Sequence, residues 1–323
     1  MKVNDAFKKG LAFVAENYKI IPILYMANFL LAIIIAIPRF AQLDAKICQF
    51  GVREDLQQNF DYEWWTTFNH TAKGIEKTVK PSLSGGFGPL FDNLSLFLTG
   101  RFDQIGTWIF CFAAAYLILA AFFNGGIIGL FADEKRSFST SRFFSYSGLY
   151  FHHFFALALT AVSLFFLIYK FIHPAIFNLV DSITLNFMSQ PAAWFVNFAA
   201  YFLLLILIIL LNIIFDYAKI IIVSEKKESS WLCIWLAIRF IAMHFASGVG
   251  LYLLVALLAI GLVIVFGFLL NVINPSQIAL FIIAILLQQI FIFAKIAIRL
   301  TFYGTQFAFY QKEHAAVRKL KKV

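Results

Sequence analysis

The sequence has few charged residues. Asp, Glu, Lys and Arg together make up 13% of its 323 residues, whereas hydrophobic residues make up 62%. Soluble domains carry about 25% charged residues and about 45–50% apolar residues, because polar side chains have to cover their surface. A chain this apolar has too few polar groups for such a surface, which excludes an ordinary water-soluble protein. A lipid bilayer removes the need for that surface.

Cysteine is scarce, and the motifs of common enzymes and metal sites are missing. The three cysteines, Cys48, Cys111 and Cys233, share no motif spacing, which excludes a disulfide framework and favours three unrelated free thiols. Phosphate-binding loops and the GxSxG, HExxH and CxxC patterns are also missing. No pair of carboxylates lies in the middle of an apolar run, where a proton-coupled pump needs them. The sequence therefore predicts no enzyme, no metal and no cofactor.

Six runs are long and apolar enough to span a bilayer, for which about 20 residues are needed. No small-residue cleavage site follows the first run, so we expect a retained helix and not a signal peptide. Residues 42–105 form one long polar loop, here expected outside the cytoplasm. The sequence predicts an all-α fold, a polytopic membrane helical bundle that forms a single domain over residues 1–323. The six predicted spans are 20–40, 106–130, 149–172, 194–222, 248–270 and 277–298.

Shorter segments next to the spans alternate apolar and polar residues. The pattern predicts amphipathic interfacial helices over residues 7–16, 139–147 and 231–245, the first lying on the membrane surface. Ser139 or Ser141 is expected to cap the second of these helices. Pro174 is expected to close the third span. The sixth helix is expected to continue past the membrane to Glu313.

Lysine and arginine set the predicted orientation. Of the 26 basic residues, 18 lie at the termini and at every second turn between spans. Six of the other eight lie in the loop 42–105, which exceeds the length of about 60 residues within which the positive-inside rule applies. We therefore expect both termini in the cytoplasm. The net charge of +9 would also suit nucleic-acid binding, but these basic residues flank apolar runs, so we predict lipid as the partner and no nucleic acid.

Polar residues mark the ends of several spans on the predicted inner side. Asp216 lies 22 residues after Trp194, about one membrane thickness at about 1.5 Å per residue. We predict a polar layer in which Asp216 pairs with Lys295 or Arg299, which share a helix face. The layer either only holds helices together, with lysines reaching to water, or forms a gate or a lipid-headgroup site. Its candidate members are Asn124, Asp216, Lys219, Arg239, Gln289, Lys295 and Arg299.

Smaller motifs lead to three further expectations. Gly125 and Gly126 permit a close approach of helices. At least one of Gln288 and Gln289 should find a partner on another helix, because an unpaired amide is costly in lipid. The residues after Glu134 and after Glu225, at an offset of 91 positions, share an acid–base turn followed by aromatic residues. This similarity indicates either a loose internal repeat or convergence on a simple pattern.

The sequence resembles a broad group of bacterial six-helix membrane proteins to which no activity is assigned. These proteins are distantly similar to the membrane domain fused to some glycerophosphodiester phosphodiesterases. The resemblance covers about residues 6–312 and implies six helices in the bacterial inner membrane. It implies no activity, because the phosphodiesterase domain has no counterpart in this sequence. The residues that carry it are Asn124-Gly125-Gly126 with Phe143 and Tyr150-Phe151, Asp216-Tyr217-Ala218-Lys219 with Glu225 and Arg239-Phe240, and Gln289 with Arg299 and Tyr310-Gln311.

Two functional hypotheses follow. The first is a non-enzymatic scaffold or accessory subunit of a membrane complex, which binds other membrane-protein subunits through its amphipathic segments. The alternative is a transporter or permease for a small or lipid-like substrate, which the polar layer and the repeat favour. An intramembrane enzyme is disfavoured, because no nucleophile and base are apparent.

Overall fold

A computed structural model describes residues 3–50, 62–71, 95–96, 98–100, 107–133, 138–185, 187, 189–273 and 278–320. All regular structure in these residues is helical, which confirms the predicted all-α fold. Most of the predicted polar loop 42–105 lies outside the described residues. The helices, with a π-helical turn at Ile168–Ile172, are α1 (Val3–Glu16), α2 (Ile20–Phe50), α3 (Tyr62–Thr71), α4 (Thr107–Ala132), α5 (Thr140–Leu167), α6 (His173–Thr184), α7 (Gln190–Glu225), α8 (Ser230–Met243), α9 (Phe245–Val272) and α10 (Ile278–Leu320).

Six helical stretches of the described chain are long and apolar enough to cross a membrane, and they coincide with the six predicted spans. Most are longer than predicted. The last helix, α10, has 43 residues, or about 65 Å at 1.5 Å per residue, about twice the hydrocarbon thickness. Its predicted continuation to Glu313 is confirmed, and the helix goes on to Leu320. The six stretches are Ile20–Gln42, Ile109–Ala132, Thr140–Thr184, Gln190–Glu225, Phe245–Val272 and Ala279–Ala315.

The prediction that Pro174 closes the third span is wrong. The helical stretch continues through the π-helical turn Ile168–Ile172 into α6. The backbone N–H of His173 donates to the carbonyl of Ile168, five residues back. A proline inside an α-helix clashes with the carbonyl four residues earlier, and the wider π-helical turn relieves that crowding. The proline is therefore tolerated within one long stretch.

The segment 139–147 is not a separate short helix, as the sequence predicts, but the beginning of α5. Ser139 does occupy the N-cap position, with extended backbone angles, but its side chain makes no capping hydrogen bond. Phe143 and Ser147 are buried on the same helix that continues into the span. The apolar residues continue without a break from the predicted interfacial segment into the span, so nothing ends the helix between them.

Contacts between Cα atoms divide the chain into two compact units. The first comprises residues 1–18, 117–258 and 297–323, and it holds α1, α5 to α8 and the candidate site described below. The second comprises residues 19–116 and 259–296, and it holds α2 and α3. Helices α4, α9 and α10 are divided between the two units, with the end of α4, the beginning of α9 and the end of α10 in the first.

Helix α1 is more than the predicted surface helix, because one of its faces is packed. Ala6, Gly10 and Asn17 are buried. Phe13 stacks on Phe131 at the end of α4, with 5.4 Å between ring centroids. A Cβ atom added to Gly10 would lie 2.7 Å from the backbone nitrogen of Thr305 in α10. The helix is thus held against the final part of α10. We call this end of the first unit the terminal side.

The predicted close approach at Gly125 and Gly126 is confirmed between α4 and α5. A Cβ atom added to Gly126 would lie 2.4 Å from the hydroxyl of Ser147 and 2.7 Å from the ring of Phe143. Gly129, one turn later, would clash in the same way with Tyr146 at 2.6 Å. The three glycines form one seam into which aromatic residues of α5 pack.

In the second unit, Gln289 has the partner that the sequence predicts for one of the two adjacent glutamines. The Tyr25 hydroxyl of α2 donates a hydrogen bond of 2.7 Å to its Oε1 atom. The Tyr25 ring also stacks on Phe293, with 4.4 Å between centroids. A polar contact between two apolar helices thus fixes their register.

We expect Gln289→Leu to lower the free energy of unfolding by about 1 kcal/mol, because it leaves the Tyr25 hydroxyl without its partner in an apolar setting. Thermal unfolding in detergent measures the change, and Tyr25→Phe completes a double-mutant cycle. Gln288→Leu is the matched control, because Gln288 is exposed and is expected to change stability little. Additive losses in the cycle would show that the hydrogen bond contributes nothing.

Candidate functional site

A polar cleft lies on the terminal side of the first unit. Its volume is about 1450 Å³. Four parts of the chain form its walls: the end of α4, the first half of α5, the turn between α7 and α8, and the last turns of α10. Side chains of every polar class line it, among them Asp133, His152, His153, Lys226, Lys227 and Gln311.

One wall of the cleft is fixed by Glu225, the last residue of α7. Its Oε1 atom accepts a hydrogen bond of 2.5 Å from the Tyr310 hydroxyl of α10. The same oxygen lies 3.3 Å from Nε2 of His314. The rings of Tyr310 and His314 are stacked, one helical turn apart. Because the carboxylate is largely shielded from solvent, these contacts hold the end of α7 firmly against α10.

A second wall is fixed by an ion pair between Asp133, just after α4, and Arg142, in the first turns of α5. The Tyr146 hydroxyl also interacts with the Asp133 carboxylate. The carboxylate side chain is only 12% exposed, so this pair is screened by solvent less than a surface salt bridge. The two walls are therefore preformed, and the acids that hold them have protein partners.

The turn between α7 and α8 brings two lysines to the rim of the cleft. Lys226 adopts a left-handed backbone conformation, with φ 52°, and its N–H donates to the carbonyl of Ile222. The N–H of Lys227 donates to the same carbonyl, which closes the helix end in the manner of a Schellman motif. Both lysine side chains are exposed. Beyond them, Ser230 Oγ lies 3.5 Å from Nδ1 of His153.

Asp216 of the predicted polar layer has a partner on its own helix. Lys219 Nζ lies 2.9 Å from Oδ1 of Asp216, and both side chains are mostly buried. The same ammonium lies over the Tyr303 ring of α10, 5.6 Å from its centroid. Arg299 is close enough for its charge to act on Lys219. The sequence predicts a partner on the last helix, whereas the observed bond joins residues three apart on α7.

The other candidate residues of the layer are dispersed. Asn124 is buried in α4, and Gln289 bonds to Tyr25 within the second unit. Lys295 also belongs to the second unit and is exposed. Arg239 is exposed on α8. The structure thus brings together Asp216, Lys219 and Arg299, and it gives the remaining four residues separate environments.

Close to this cluster, the first unit contains buried polar atoms without a hydrogen-bond partner among the described residues. The Tyr217 hydroxyl is one of them, and both amide atoms of Gln306 are others. Tyr217 and Gln306 are 0% and 1% exposed. Such groups usually bind ordered water in native proteins.

The described part of the chain holds two cysteine side chains and no cluster of metal ligands. Cys111 and Cys233 are free. Burial raises the pKa of the Cys233 thiol to about 11, with the charge of Glu225 adding to the effect, so its nucleophilic thiolate is scarce near neutral pH. No group of three or more His, Cys, Asp or Glu side chains in the described chain is arranged to hold a metal ion.

Several site residues are not recognisable from sequence spacing. Glu225 and Tyr310 are 85 positions apart, and Arg142 reaches Asp133 across the inter-helix turn. The resemblance expected from the sequence includes Glu225 and Tyr310-Gln311, but it implies no contact between them. Comparisons with protein-family models, with curated proteins and with solved structures find no match to this chain.

Proposed function

We propose that this multi-pass membrane protein is a non-enzymatic scaffold or accessory subunit of a membrane complex, and that its polar cleft receives a polar segment of a partner subunit. The observation that carries this proposal is the cleft itself, with its two preformed walls. Preformed walls favour docking, because little side-chain entropy is lost when the partner binds.

The size and chemistry of the cleft favour a peptide segment over a small molecule. Small-molecule sites usually measure about 300–1,000 Å³. The cleft exceeds that range, and its rim presents Lys226, Lys227 and Glu228. Charges of both signs at a rim select a partner and its orientation more than they add affinity.

The proposal includes a location, the bacterial inner membrane with both termini in the cytoplasm. Three observations support it: the excess of basic residues on the terminal side, the contact of Gly10 with Thr305, and the resemblance described above. The cleft then faces the cytoplasm, where a soluble segment of a partner has access to it.

Site-specific photo-crosslinking in cells tests the docking. A photoreactive benzoylphenylalanine at Gln311, which is exposed and lines the cleft, is expected to form an adduct with a partner chain. Lys227→Glu in the same chain is expected to reduce the adduct about fivefold, because reversing one exposed charge pair costs about 1 kcal/mol.

The matched control carries the photoreactive residue at Leu286, which is 57% exposed on an apolar span and is expected to face lipid. An adduct that forms equally at Leu286, or that is insensitive to Lys227→Glu, would argue against docking in the cleft. If the protein forms no adduct with another protein and purifies alone in mild detergent, the proposal is contradicted.

The alternative of a transporter or permease has less support. A substrate path needs a cavity that reaches polar groups within the membrane. None of the seven candidate residues of the polar layer lines the cleft. A scaffold or accessory subunit is therefore the better proposal for this protein than a transporter.

A further inference from the structure

Helix α8 is too short to cross the membrane and packs against the first unit with only one face. Its 14 residues span about 21 Å, less than the hydrocarbon thickness of about 30 Å. Cys233, Ala237 and Phe240 are buried on its inner face. The Phe240 ring lies 5.1 Å from that of Tyr217 and 5.0 Å from that of Tyr310, so the helix is docked firmly on α7 and α10.

The opposite face of α8 is exposed and carries two tryptophans. Trp231 and Trp235 are 72% and 64% exposed, and Ile238 is 39% exposed. Arg239 follows on the same face and is exposed as well. Spacings of four, three and one place these residues on a single stripe of the helix. We call these four residues the α8 stripe.

The charge around the α8 stripe is positive. From residue 226 to residue 243 the chain carries three cations, Lys226, Lys227 and Arg239, and one acid, Glu228. All four side chains are exposed. A net charge of +2 beside exposed tryptophans is the combination that the interface of an anionic membrane attracts.

We propose that the α8 stripe is a binding surface for anionic phospholipids of the leaflet on the terminal side. The indole rings of Trp231 and Trp235 lie at the boundary between headgroups and acyl chains, where an amphipathic ring is favoured. Arg239 and the lysines of the preceding turn interact with lipid phosphates. Ile238 contacts the upper part of the acyl chains. This surface adjoins the cleft, with which it shares Lys226 and Lys227, but its tryptophans and Arg239 lie outside the cleft and it does not depend on the proposed docking function.

A lipid occupant explains the stripe better than a protein partner for two reasons. The chain already crosses the membrane immediately before and after α8, in α7 and α9, so α8 is held at the bilayer surface. A helix of this length and apolarity with one packed face is typical of an interfacial segment.

The first experiment compares lipid preference in nanodiscs that contain phosphatidylcholine alone or mixed with phosphatidylglycerol. Native mass spectrometry after release counts the phospholipids retained on the protein. We expect a preference for phosphatidylglycerol that falls about fivefold for each cation removed by Lys227→Gln and Arg239→Gln. Lys170→Gln is the matched control, because it removes an exposed cation of the same unit without touching α8.

The second experiment locates the indole rings. In a variant that keeps Trp235 and replaces the other tryptophans with Phe, lipids brominated near the headgroup end of the acyl chain are expected to quench its fluorescence more than lipids brominated near the chain terminus. If that variant does not fold, the number of phospholipids that the wild-type protein retains in the first experiment still tests the proposal. Equal retention of the two phospholipids, or a Trp235 signal that brominated lipids leave unchanged, would overturn the proposal and assign the stripe to a protein interface.

Discussion

Replacing Gly10 with alanine is expected to lower the free energy of unfolding by about 3 kcal/mol, because the new methyl group overpacks the contact between α1 and α10. A Cβ atom at this position would lie 2.3 Å from Cγ2, 2.7 Å from the nitrogen and 2.9 Å from Cα of Thr305. A side-chain rotation moves only the first of these atoms. The backbone atoms give way only if the two helices separate, and this separation weakens the packing of Phe13 on Phe307 of α10.

Thermal unfolding in detergent measures this change, and accessibility of α1 to protease shows whether the helix detaches. Gly250→Ala and Gly148→Ala are matched controls, since a Cβ atom at either position meets nothing within 4 Å. Both lie inside helices, where alanine is favoured over glycine by about 1 kcal/mol. We therefore expect the controls to be neutral or stabilising. A loss at Gly10 no larger than at these controls would mean that the α1 contact does not stabilise the protein.

The membrane spans could be predicted from the sequence because each depends on a local property. A run of about 20 apolar residues has one stable environment, whatever the rest of the chain does. The first and last helices illustrate the limit of that reasoning. In the sequence, Gly10 is an ordinary residue of an amphipathic helix. Only the structure shows that Thr305, almost 300 residues later, packs against it and leaves no room for a side chain.

The candidate site was predicted only in part for the same physical reason. The apolar setting makes it certain that Asp216 and Gln289 need partners, but several partners satisfy that need equally well. Lys219, Lys295 and Arg299 are all cations at a suitable depth, and the packing of the helices decides among them. The cleft was not predictable, because its walls depend on Glu225 and Asp133 meeting side chains of other helices.

Replacing Asp216 with alanine is expected to lower the free energy of unfolding by about 3 kcal/mol, the second large effect. The carboxylate and the Lys219 ammonium are 2.9 Å apart, and their side chains are 18% and 17% exposed. Loss of the carboxylate leaves a shielded ammonium without its counter-ion and close to the like charge of Arg299. Removing one partner of such a pair typically costs about 3–5 kcal/mol, and the partial exposure places the expectation at the lower end.

Two further variants separate the ion pair from the general cost of changing this helix. Asp181→Ala is the control, because Asp181 is an exposed acid of the same unit, and it is expected to change stability by less than about 0.5 kcal/mol. Lys219→Met in the Asp216→Ala background removes the uncompensated charge and is expected to recover more than half of the loss.

The charge-swapped chain, Asp216→Lys with Lys219→Asp, distinguishes a simple pair from a cluster. The swap retains one acid and one base three residues apart, but it moves the cation away from the Tyr303 ring, over which Lys219 now lies. It also reverses the order of the pair, and an acid that precedes the base along a helix is the favoured order. We therefore expect the swap to recover only part of the loss measured for Asp216→Ala. Full recovery would mean that Tyr303 and the order of the two charges contribute nothing. A swap no better than the single change would mean that the two charges do not stabilise each other.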